Sequence, residues 1–352
     1  MDPLTQGTLA SALAQSAADP RQIRGFALAG AVGGIVPDLD ILIRSDTDPI
    51  LYLEFHRQFS HSLVFIPIGA ALCALLLHPV LKRWLGFRAT FIACLLGYAT
   101  HGLLDACTSY GTQLFWPFSD TRVAWNWISV IDPLLSLPLF GLVLLGIVRR
   151  RRVFAITGFC WALAYLAIGA VQHQRATTIA EALAAERDHE PVRLVIKPGF
   201  ANLLLWKSLY EADGRYYVDG IRAGVSGSIC EGDSISALVT QRDLPWLDPA
   251  SRQALDLERF DWYSDGWLAL DPEDPFYAVD VRYASLPNRI APLWGLKVDP
   301  RASLDAHASW HVVRSRRGAD LDRLIELIAG RGCRTLRQVP GLKPGTGPRR
   351  PA

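Results

Sequence analysis

Long apolar runs are confined to the first half of the chain, and this division predicts two structurally different parts. Residues 1–172 hold nearly all of these runs, whereas residues 173–352 mix charged, apolar and turn-forming residues as a globular domain does. A run of about 20 apolar residues is long enough to span a bilayer. Four segments meet this requirement: 62–81, 90–108, 132–148 and 153–171. The pattern therefore predicts an α-helical, multi-pass membrane domain over residues 1–172.

The first 36 residues are also apolar, but their apolar pattern is interrupted. Residues 4–18 and 23–36 are rich in Ala and Gly, and each is short for a spanning helix at about 1.5 Å per residue. We predict a re-entrant helical hairpin over residues 4–36. The N-terminus lacks the basic start, apolar core and cleavage pattern of a signal peptide. Internal helices are therefore expected to direct the chain to the membrane.

The second half of the chain has the pattern of a soluble, mostly β (α+β) domain. This domain is predicted over residues 191–340, after a linker at residues 173–190. Three segments have the composition or alternation of strands: 192–196, 215–219 and 277–283. Residues 319–330 fit a short helix, and the Pro-, Gly- and Arg-rich residues 341–352 are expected to be a disordered tail.

Basic residues between the apolar segments indicate how these segments are oriented. Short loops rich in Lys and Arg remain in the cytoplasm. The basic clusters comprise Arg21, Arg24, Lys82, Arg83, Arg88 and residues 149–152. All of them can be cytoplasmic together only if loops 37–60 and 109–131 lie on the other side. The same topology exports the C-terminal domain to the periplasmic side.

Charge and cysteine content add little that is specific. The formal net charge of +2 gives no footprint for a polyanion, so no nucleic-acid partner is expected. The six cysteines form no C-x-x-C pair. Cys230 and Cys333 are able to form a disulfide if the soluble half is exported, although sequence alone does not pair them.

Three polar stretches at the ends of apolar segments carry residues that bind metals. They are PDLD at 37–40, HRQFSHS at 56–62 and GYATHGLLD at 97–105. Under the predicted topology all three emerge on one side of the membrane. Ionisable groups near lipid are costly unless they pair, bind metal or face water, so they mark a functional site. The candidate ligands are Asp38, Asp40, His56, His61, His101 and Asp105. We therefore predict a divalent-metal centre at the membrane surface, with zinc favoured over manganese or magnesium.

His101 and Asp105 are the most informative pair, because a spacing of four residues projects both side chains from one helical face. The structural alternative is that Asp105 only orients His101. Similar alternatives hold for the other motifs, in which Asp38 and Asp40 would be solvated loop carboxylates and the histidines would lie at the lipid interface. The arrival of all these ligands at one membrane depth favours the metal.

Four further residues are candidates for catalysis. Glu54 and Asp132 are spare carboxylates able to handle protons, although Asp132 before Pro133 is also a good helix N-cap. Arg57 and Arg122 are able to neutralise the charge of an anionic substrate.

Other catalytic signatures are missing from the sequence. There is no G-x-S-x-G, no P-loop and no Gly-rich dinucleotide turn. His307 and His311 are spaced i, i+4 in the soluble half, but no acid or cysteine accompanies them, so we interpret them as ordinary histidines. Activation of water by a metal is the chemistry that these residues support.

The three motifs, followed by ACTSYGTQLFWP at 106–117, resemble one family over roughly residues 1–170. This is the YdjM-like family, described as LexA-binding inner-membrane proteins and metal-dependent hydrolases. The resemblance implies a multi-pass protein of the bacterial inner membrane with a metal site at the six ligands named above. Two positions depart from the family pattern, since Gln6 and Ile41 stand where members often carry His.

The His-x-x-x-Asp spacing is also similar to part of the zinc site of zinc-dependent phospholipases C, which favours phosphoester hydrolysis. The leading hypothesis is thus a membrane-bound, metal-dependent hydrolase of a phosphoester in a lipid or another membrane-associated substrate. A second hypothesis is a non-enzymatic inner-membrane protein with a structural metal and an exported binding domain. A metal or proton transporter is a third, disfavoured because the acids cluster at one face.

Overall fold

The N-terminal part of the protein is helical. The computed structural model describes residues 1–224, 227–313 and 317–335. The helical segments in chain order are α1 (Pro3–Ser16), α2 (Ile23–Ile35), a 3₁₀ segment (Val36–Leu42), α3 (Leu51–Phe55), a second 3₁₀ segment (Phe59–His61), α4 (Ile66–Leu81), α5 (Phe87–Ala106), α6 (Pro133–Arg149) and α7 (Arg152–Glu186).

Local sequence explains where several of these helices begin. Asp2 accepts a hydrogen bond from the Thr5 backbone N–H, and Pro3 takes the first position of α1. Asp132 caps α6 in the same way, through the Leu134 N–H, again with a proline in the first turn. Arg150 adopts a left-handed conformation between α6 and α7, which lets the chain reverse within a short basic loop.

Within the described residues, three helical segments are long and apolar enough to cross a membrane: Ile23–Leu42, Phe87–Ala106 and Arg152–Glu186. A fourth candidate, Leu51–His61 with Ile66–Leu81, is bent by 87°, and α6 is apolar but shorter. Residues 23–36 are short by themselves, but the 3₁₀ segment extends α2 to Leu42, and the resulting 20 residues are long enough to span. Helix α1 is instead largely buried, against α2, α5, α6 and α7.

The segment expected to be a linker is helical. Residues 173–186 continue α7 without a break, so α7 is 35 residues long. Its last turns enter the second half of the molecule, where Ala176, Ala180 and Leu183 pack with the buried Ile196 and Trp206. Alanines on this face fit a helix that must lie close to a sheet, and the apolar repeat continues past the predicted end of the span.

The C-terminal part is built on two antiparallel sheets. The elements are β1 (Arg193–Pro198), β2 (Leu205–Ala212), β3 (Arg215–Arg222), β4 (Ser228–Cys230), β5 (Ser234–Ser236), α8 (Thr240–Asp243), α9 (Arg252–Tyr263), β6 (Leu268–Asp271), β7 (Asp274–Asp280), β8 (Trp294–Lys297), β9 (Ser309–Val312), α10 (Arg317–Ile328) and β10 (Arg334–Thr335). The first sheet has the strand order β1-β2-β3-β4-β10, and β5 also pairs with β3. The second sheet has the order β6-β7-β8-β9.

These elements confirm the predicted fold class, a helical domain with apolar spans followed by a β-rich domain. The three predicted strands correspond to β1, β3 and β7, and the predicted helix to α10. Cys230 and Cys333 form a disulfide, which ties β4 to the segment before β10. The predicted tail at residues 341–352 lies outside the described residues.

Polar contacts join the two parts on the side where the motifs lie. In loop 109–131, the Ser109 carbonyl accepts hydrogen bonds from Lys197 Nζ at 2.8 Å and from the Tyr283 hydroxyl at 2.5 Å. In loop 37–60, Asp48 and Glu54 both pair with Arg259 of α9. Both loops therefore face the β-rich part, as expected if they emerge on one side of the helical domain.

Candidate metal centre

Close packing of α2 against α5 determines where the candidate ligands meet. A Cβ atom added at Gly97 would lie 2.1 Å from the Gly30 carbonyl oxygen, so the two backbones touch. One turn further on, His101 Nδ1 donates to the Gly34 carbonyl at 2.6 Å. Small residues allow this approach, and it brings the end of α2, with Asp38, beside the last turns of α5.

Four ligand atoms converge at this point. His61 Nε2 lies 2.9 Å from His101 Nε2, and Asp38 Oδ1 lies 3.4 Å from each of them. Asp105 Oδ2 lies 3.4 Å from His61 Nε2 and 3.7 Å from His101 Nε2. All four atoms fall within 4.8 Å of one another. His61, His101 and Asp105 are buried, whereas Asp38 is partly exposed.

The partners of the other ring nitrogens assign the tautomers. A carbonyl oxygen only accepts, so His101 carries its proton on Nδ1, and the same holds for His61, whose Nδ1 lies 3.1 Å from the Asp40 carboxylate. In its neutral form each imidazole presents a lone pair at Nε2. Two Nε2 atoms and two carboxylate oxygens then face one another, and a divalent cation between them would stabilise this arrangement.

Asp105 supports the same conclusion through its two oxygens. Oδ1 accepts a hydrogen bond from Gln6 Nε2 at 2.9 Å and also contacts the amino group of Met1. Oδ2 is buried and has no hydrogen-bond partner among the described residues, although Arg57 Nε lies 3.2 Å away. A buried carboxylate oxygen that faces imidazole lone pairs is what a metal ligand requires, so these residues fit a divalent metal.

Asp40 has a different position from the other carboxylates. It accepts hydrogen bonds from the Arg57 backbone N–H at 3.0 Å, from Ser60 Oγ at 2.7 Å and from His56 Nδ1 at 2.7 Å, in addition to its contact with His61. Carboxylates that receive the second nitrogen of a ligating histidine set its tautomer and orientation. Asp38, Asp40 and His56 also form a second close group that shares Asp38 with the first.

The structure brings all six predicted ligands together but gives the two predicted carboxylate catalysts other partners. Glu54 pairs with Arg259, in the contact between loop 37–60 and α9. Asp132 caps α6, and its carboxylate accepts the proton of the Tyr165 hydroxyl, which lies 2.9 and 2.8 Å from the two carboxylate oxygens. Neither carboxylate belongs to the close groups of ligands, because each is held by a cation or a donor elsewhere.

The two predicted arginines lie on the β-rich side of the site. Arg57 has φ of 66°, is almost fully buried and donates from Nη1 to Thr108 at 3.2 Å. Arg122 donates to the carbonyls of Tyr110 and Gly111 and lies over the Tyr263 ring, 4.9 Å from its centroid. The sequence singled out both arginines as candidates, and the structure places Arg57 beside Asp105. Nothing in the sequence predicts the aromatic rings that Arg57 and Arg122 contact.

Sequence reasoning missed the residues that support the ligands. Ser60 and Gln6 hold Asp40 and Asp105, and neither carries a signal beyond its position near a motif. Gln6 is the first family departure, and it reaches the site. Ile41, the second departure, is 39% exposed.

A third group of ligand-type residues lies in the contact between the two parts. Asp48, Asp256 and His307 come close together, but Arg259 donates to both carboxylates at 2.9–3.1 Å. A guanidinium already neutralises this group, and His307 donates to or accepts from Asp256 at 2.8 Å. We interpret it as an ion-pair network that joins the helical and β-rich parts.

Two curated proteins are similar to part of this chain. The uncharacterized protein YfhP of Bacillus subtilis (strain 168) is 27% identical over 115 residues, which are 33% of this chain and 35% of that protein. The inner membrane protein YbcI of Escherichia coli (strain K12) is 34% identical over 105 residues, 28% of this chain and 57% of YbcI. The chain thus matches about a third and just over half of these two relatives.

No solved structure gives a significant match to the chain. The profile of the family described as YdjM inner membrane protein matches residues 1–176, which contain every candidate ligand. Since this match covers half of the 352 residues, the protein belongs to the YdjM family of inner membrane proteins.

Proposed function

We propose that this inner membrane protein is a metal-dependent hydrolase that acts on a phosphoester of a lipid or another membrane-associated substrate. The observation that carries the proposal is the convergence of two imidazole lone pairs and two carboxylate oxygens within 4.8 Å, at the ends of apolar helices. Mixed nitrogen and oxygen donors suit zinc, with manganese as the next choice.

Four residues would hold the metal: Asp38, His61, His101 and Asp105. A divalent cation bound there supplies Lewis acidity, which lowers the pKa of water and stabilises charge on a phosphoryl oxygen. We place one metal in this group because both oxygens of Asp40 are already engaged by donors, which leaves the second group poorly suited to another.

His56 and Asp40 would then form the proton-handling pair. His56 donates from Nδ1 to Asp40, so its Nε2 is free to accept a proton, and its side chain is 27% exposed on the open side of the site. Asp38 is exposed to a similar extent on that side, at 24%. The substrate would approach from this side, beside Arg57, whose Nε lies 3.2 Å from Asp105 Oδ2.

Metal content and turnover together test this proposal. We expect about one zinc or manganese per chain in protein purified in detergent without chelator, measured by mass spectrometry. His101→Ala and Asp105→Asn should lose the metal and reduce kcat/KM on short-chain phospholipids by about 100-fold or more, because mutating even residues that only orient ligands costs about 10- to 100-fold.

The matched control is His307→Ala, which removes a histidine that also pairs with an aspartate but lies outside the site. It should keep both metal and turnover. Full metal content and full turnover in a folded Asp105→Asn variant would contradict the assignment.

One observation favours a second function, that of a non-enzymatic membrane protein with a structural metal. Three of the four ligands are at most 2% exposed, and closed sites with four protein ligands are usually structural. In that case wild-type protein would bind metal but hydrolyse no phosphoester, and the same two substitutions would lower only the melting temperature. Turnover in the wild type decides between the two functions.

A further inference from the structure

A cavity of about 390 Å³ lies between the helical and β-rich parts. Loop 109–131 forms one wall with Tyr110 and Arg122, and the β-rich part forms the other with Lys197, Tyr263 and Trp267. Neither half of the chain encloses this space alone. A ligand bound here would therefore contact both parts of the molecule.

Arg122 presents two unused donors in this cavity. Its Nη2 donates to the carbonyls of Tyr110 and Gly111, at 3.3 and 3.2 Å. Its Nε and Nη1 are buried and have no hydrogen-bond partner among the described residues. A guanidinium keeps its positive charge when buried, and each of its N–H groups is a strong donor to a phosphate or carboxylate oxygen. Buried N–H donors normally have a hydrogen-bond acceptor. A bound ligand would supply the acceptor that Nε and Nη1 lack among the described residues.

Aromatic rings hold this guanidinium in place. Arg122 lies over the rings of Tyr263 and Trp262, with 4.9 and 5.7 Å between its Cζ and the ring centroids. Both rings belong to α9 of the β-rich part. Cation–π contacts stabilise the charged side chain but accept no hydrogen bond from N–H groups in the guanidinium plane. The rings therefore position Arg122 and leave Nε and Nη1 available to a ligand.

A second, smaller cavity of about 230 Å³ borders both this arginine and His56, whose Nδ1 contacts Asp40 beside the proposed metal site. It is lined by His56 and Arg57 on one side and by Tyr110, Arg122 and Tyr263 on the other. The last three residues also line the larger cavity. Arg57 lies over the Tyr110 ring, 5.3 Å from its centroid, while its Nε approaches Asp105. Contacts through Tyr110 and Arg57 thus lead from Arg122 to the proposed metal site.

The charges around the larger cavity are favourable for an anion. Lys197 also lines the space, but burial lowers its pKa well below the ordinary value, so among the described lining residues only Arg122 supplies an unpaired positive charge. Arg282 also lines the space, but its guanidinium is paired with Asp280 at 2.8 Å. Two carboxylates, Asp120 and Asp265, lie on exposed parts of the lining. The buried charge facing the cavity is therefore positive.

We propose that this cavity is a recognition site for a phosphate-bearing group, in which Arg122 donates to a phosphate oxygen from its unpaired N–H groups. The inference rests on the proposed hydrolase and deepens it: the β-rich part completes the substrate site, and the substrate class is one that carries a phosphate anion. Loss of the β-rich wall would leave the metal centre without its means of orienting that group.

The test is a binding measurement on full-length protein in detergent, with EDTA present so that neither metal binding nor turnover contributes. Titration calorimetry would use two probes, inorganic phosphate and dihexanoyl phosphatidic acid. We expect one binding event per chain, with affinity at least tenfold lower in Arg122→Gln. The matched control is Arg215→Gln, an arginine at the start of β3 whose guanidinium donates to Ser234 and Ser236 away from the cavity, and it should bind as the wild type does.

Each outcome has a defined meaning. Binding of both probes supports recognition of the phosphate alone, and binding of the lipid alone assigns the site to a lipid headgroup. Binding of inorganic phosphate alone assigns it to the free anion. No binding of either probe, or equal affinity in a folded Arg122→Gln protein, overturns the proposal.

Arg122→Lys serves where the glutamine variant does not fold. Lysine keeps the positive charge but lacks the fixed N–H directions of the planar guanidinium. We therefore expect phosphate binding to weaken at least threefold at an unchanged melting temperature. Undiminished affinity in this variant also overturns the proposal. Because the measurement excludes metal, a protein that binds phosphate but hydrolyses nothing would refute the proposed activity and leave this site intact.

Discussion

Two lysines with buried amino groups lie directly opposite each other in the first sheet. Lys197 of β1 and Lys207 of β2 are cross-strand partners, so their side chains share one face. Lys197 donates to the Ser109 carbonyl at 2.8 Å and Lys207 to the Arg289 carbonyl at 3.1 Å. Burial lowers the pKa of Lys207 from its ordinary 10.5 to about 7, against the opposing attraction of Asp280 and Asp233.

This lowered pKa predicts how stability depends on pH. Between about pH 7 and pH 10.5 the unfolded chain binds a proton at Lys207 that the folded protein does not, so the free energy of unfolding rises with pH across this window. Lys207→Met should remove that rise, which amounts to at least about 1.4 kcal/mol for one pKa unit. Chemical unfolding in detergent at pH 7 and pH 9.5 measures it.

The exposed Lys297 of β8 provides the control for this measurement. Lys297→Met should leave the pH dependence as it is in the wild type. An equal pH dependence in Lys207→Met and the wild type would show that Lys207 keeps its proton when folded.

At the scale of helices, the approach of α2 to α5 positions Asp38 beside His101. Gly97 is the residue that permits it, since any Cβ there would collide with the Gly30 backbone rather than with a movable side chain. A single backbone atom within a packed helix cannot move without the rest of the helix. The steric clash with an added Cβ is therefore relieved only if α2 and α5 move apart. The metal ligands at the ends of both helices would move with them.

Gly97→Ala should therefore destabilise the protein by about 1–3 kcal/mol and weaken metal binding, although Gly97 contacts no ligand side chain. The melting temperature in detergent and the metal content per chain measure the two effects. Gly141→Ala is the control, because nothing lies within 4 Å of a Cβ at that position in α6. Equal melting temperatures for the two variants would argue against close backbone contact between α2 and α5.

At the scale of the whole molecule, the Cys230–Cys333 disulfide bears on which side of the membrane the β-rich domain occupies. Disulfides persist in the periplasm and are rare in the cytosol. The other four cysteines are Cys73, Cys94, Cys107 and Cys160, and they are free. We therefore propose that the β-rich domain is periplasmic and that the candidate metal site faces the same compartment.

Counting thiols in freshly lysed cells tests this topology. Denatured protein treated with a maleimide polymer should gain four additions without reductant, because only the free cysteines react, and six after reduction. Cys333→Ser should gain five under both conditions. Six additions to the wild type without reductant would place this domain in a reducing compartment.

Sequence alone determined the properties that depend on composition and local spacing. The apolar runs, the three motifs and the i, i+4 pairing of His101 with Asp105 are local features, and they sufficed to predict the fold class and six residues that the structure brings together. The strands at 192–196, 215–219 and 277–283 were also predictable, since side-chain alternation in a strand is local.

Only the tertiary structure decided the roles of residues that are distant in sequence. The opposed lone pairs of His61 and His101 depend on Asp40 and on the Gly34 carbonyl, which no spacing connects. The assignment of Glu54 to Arg259, 205 residues away, and the cavity around Arg122 likewise arise from packing between the two halves. Such contacts depend on where separate elements come to lie, which composition and periodicity along the chain do not encode.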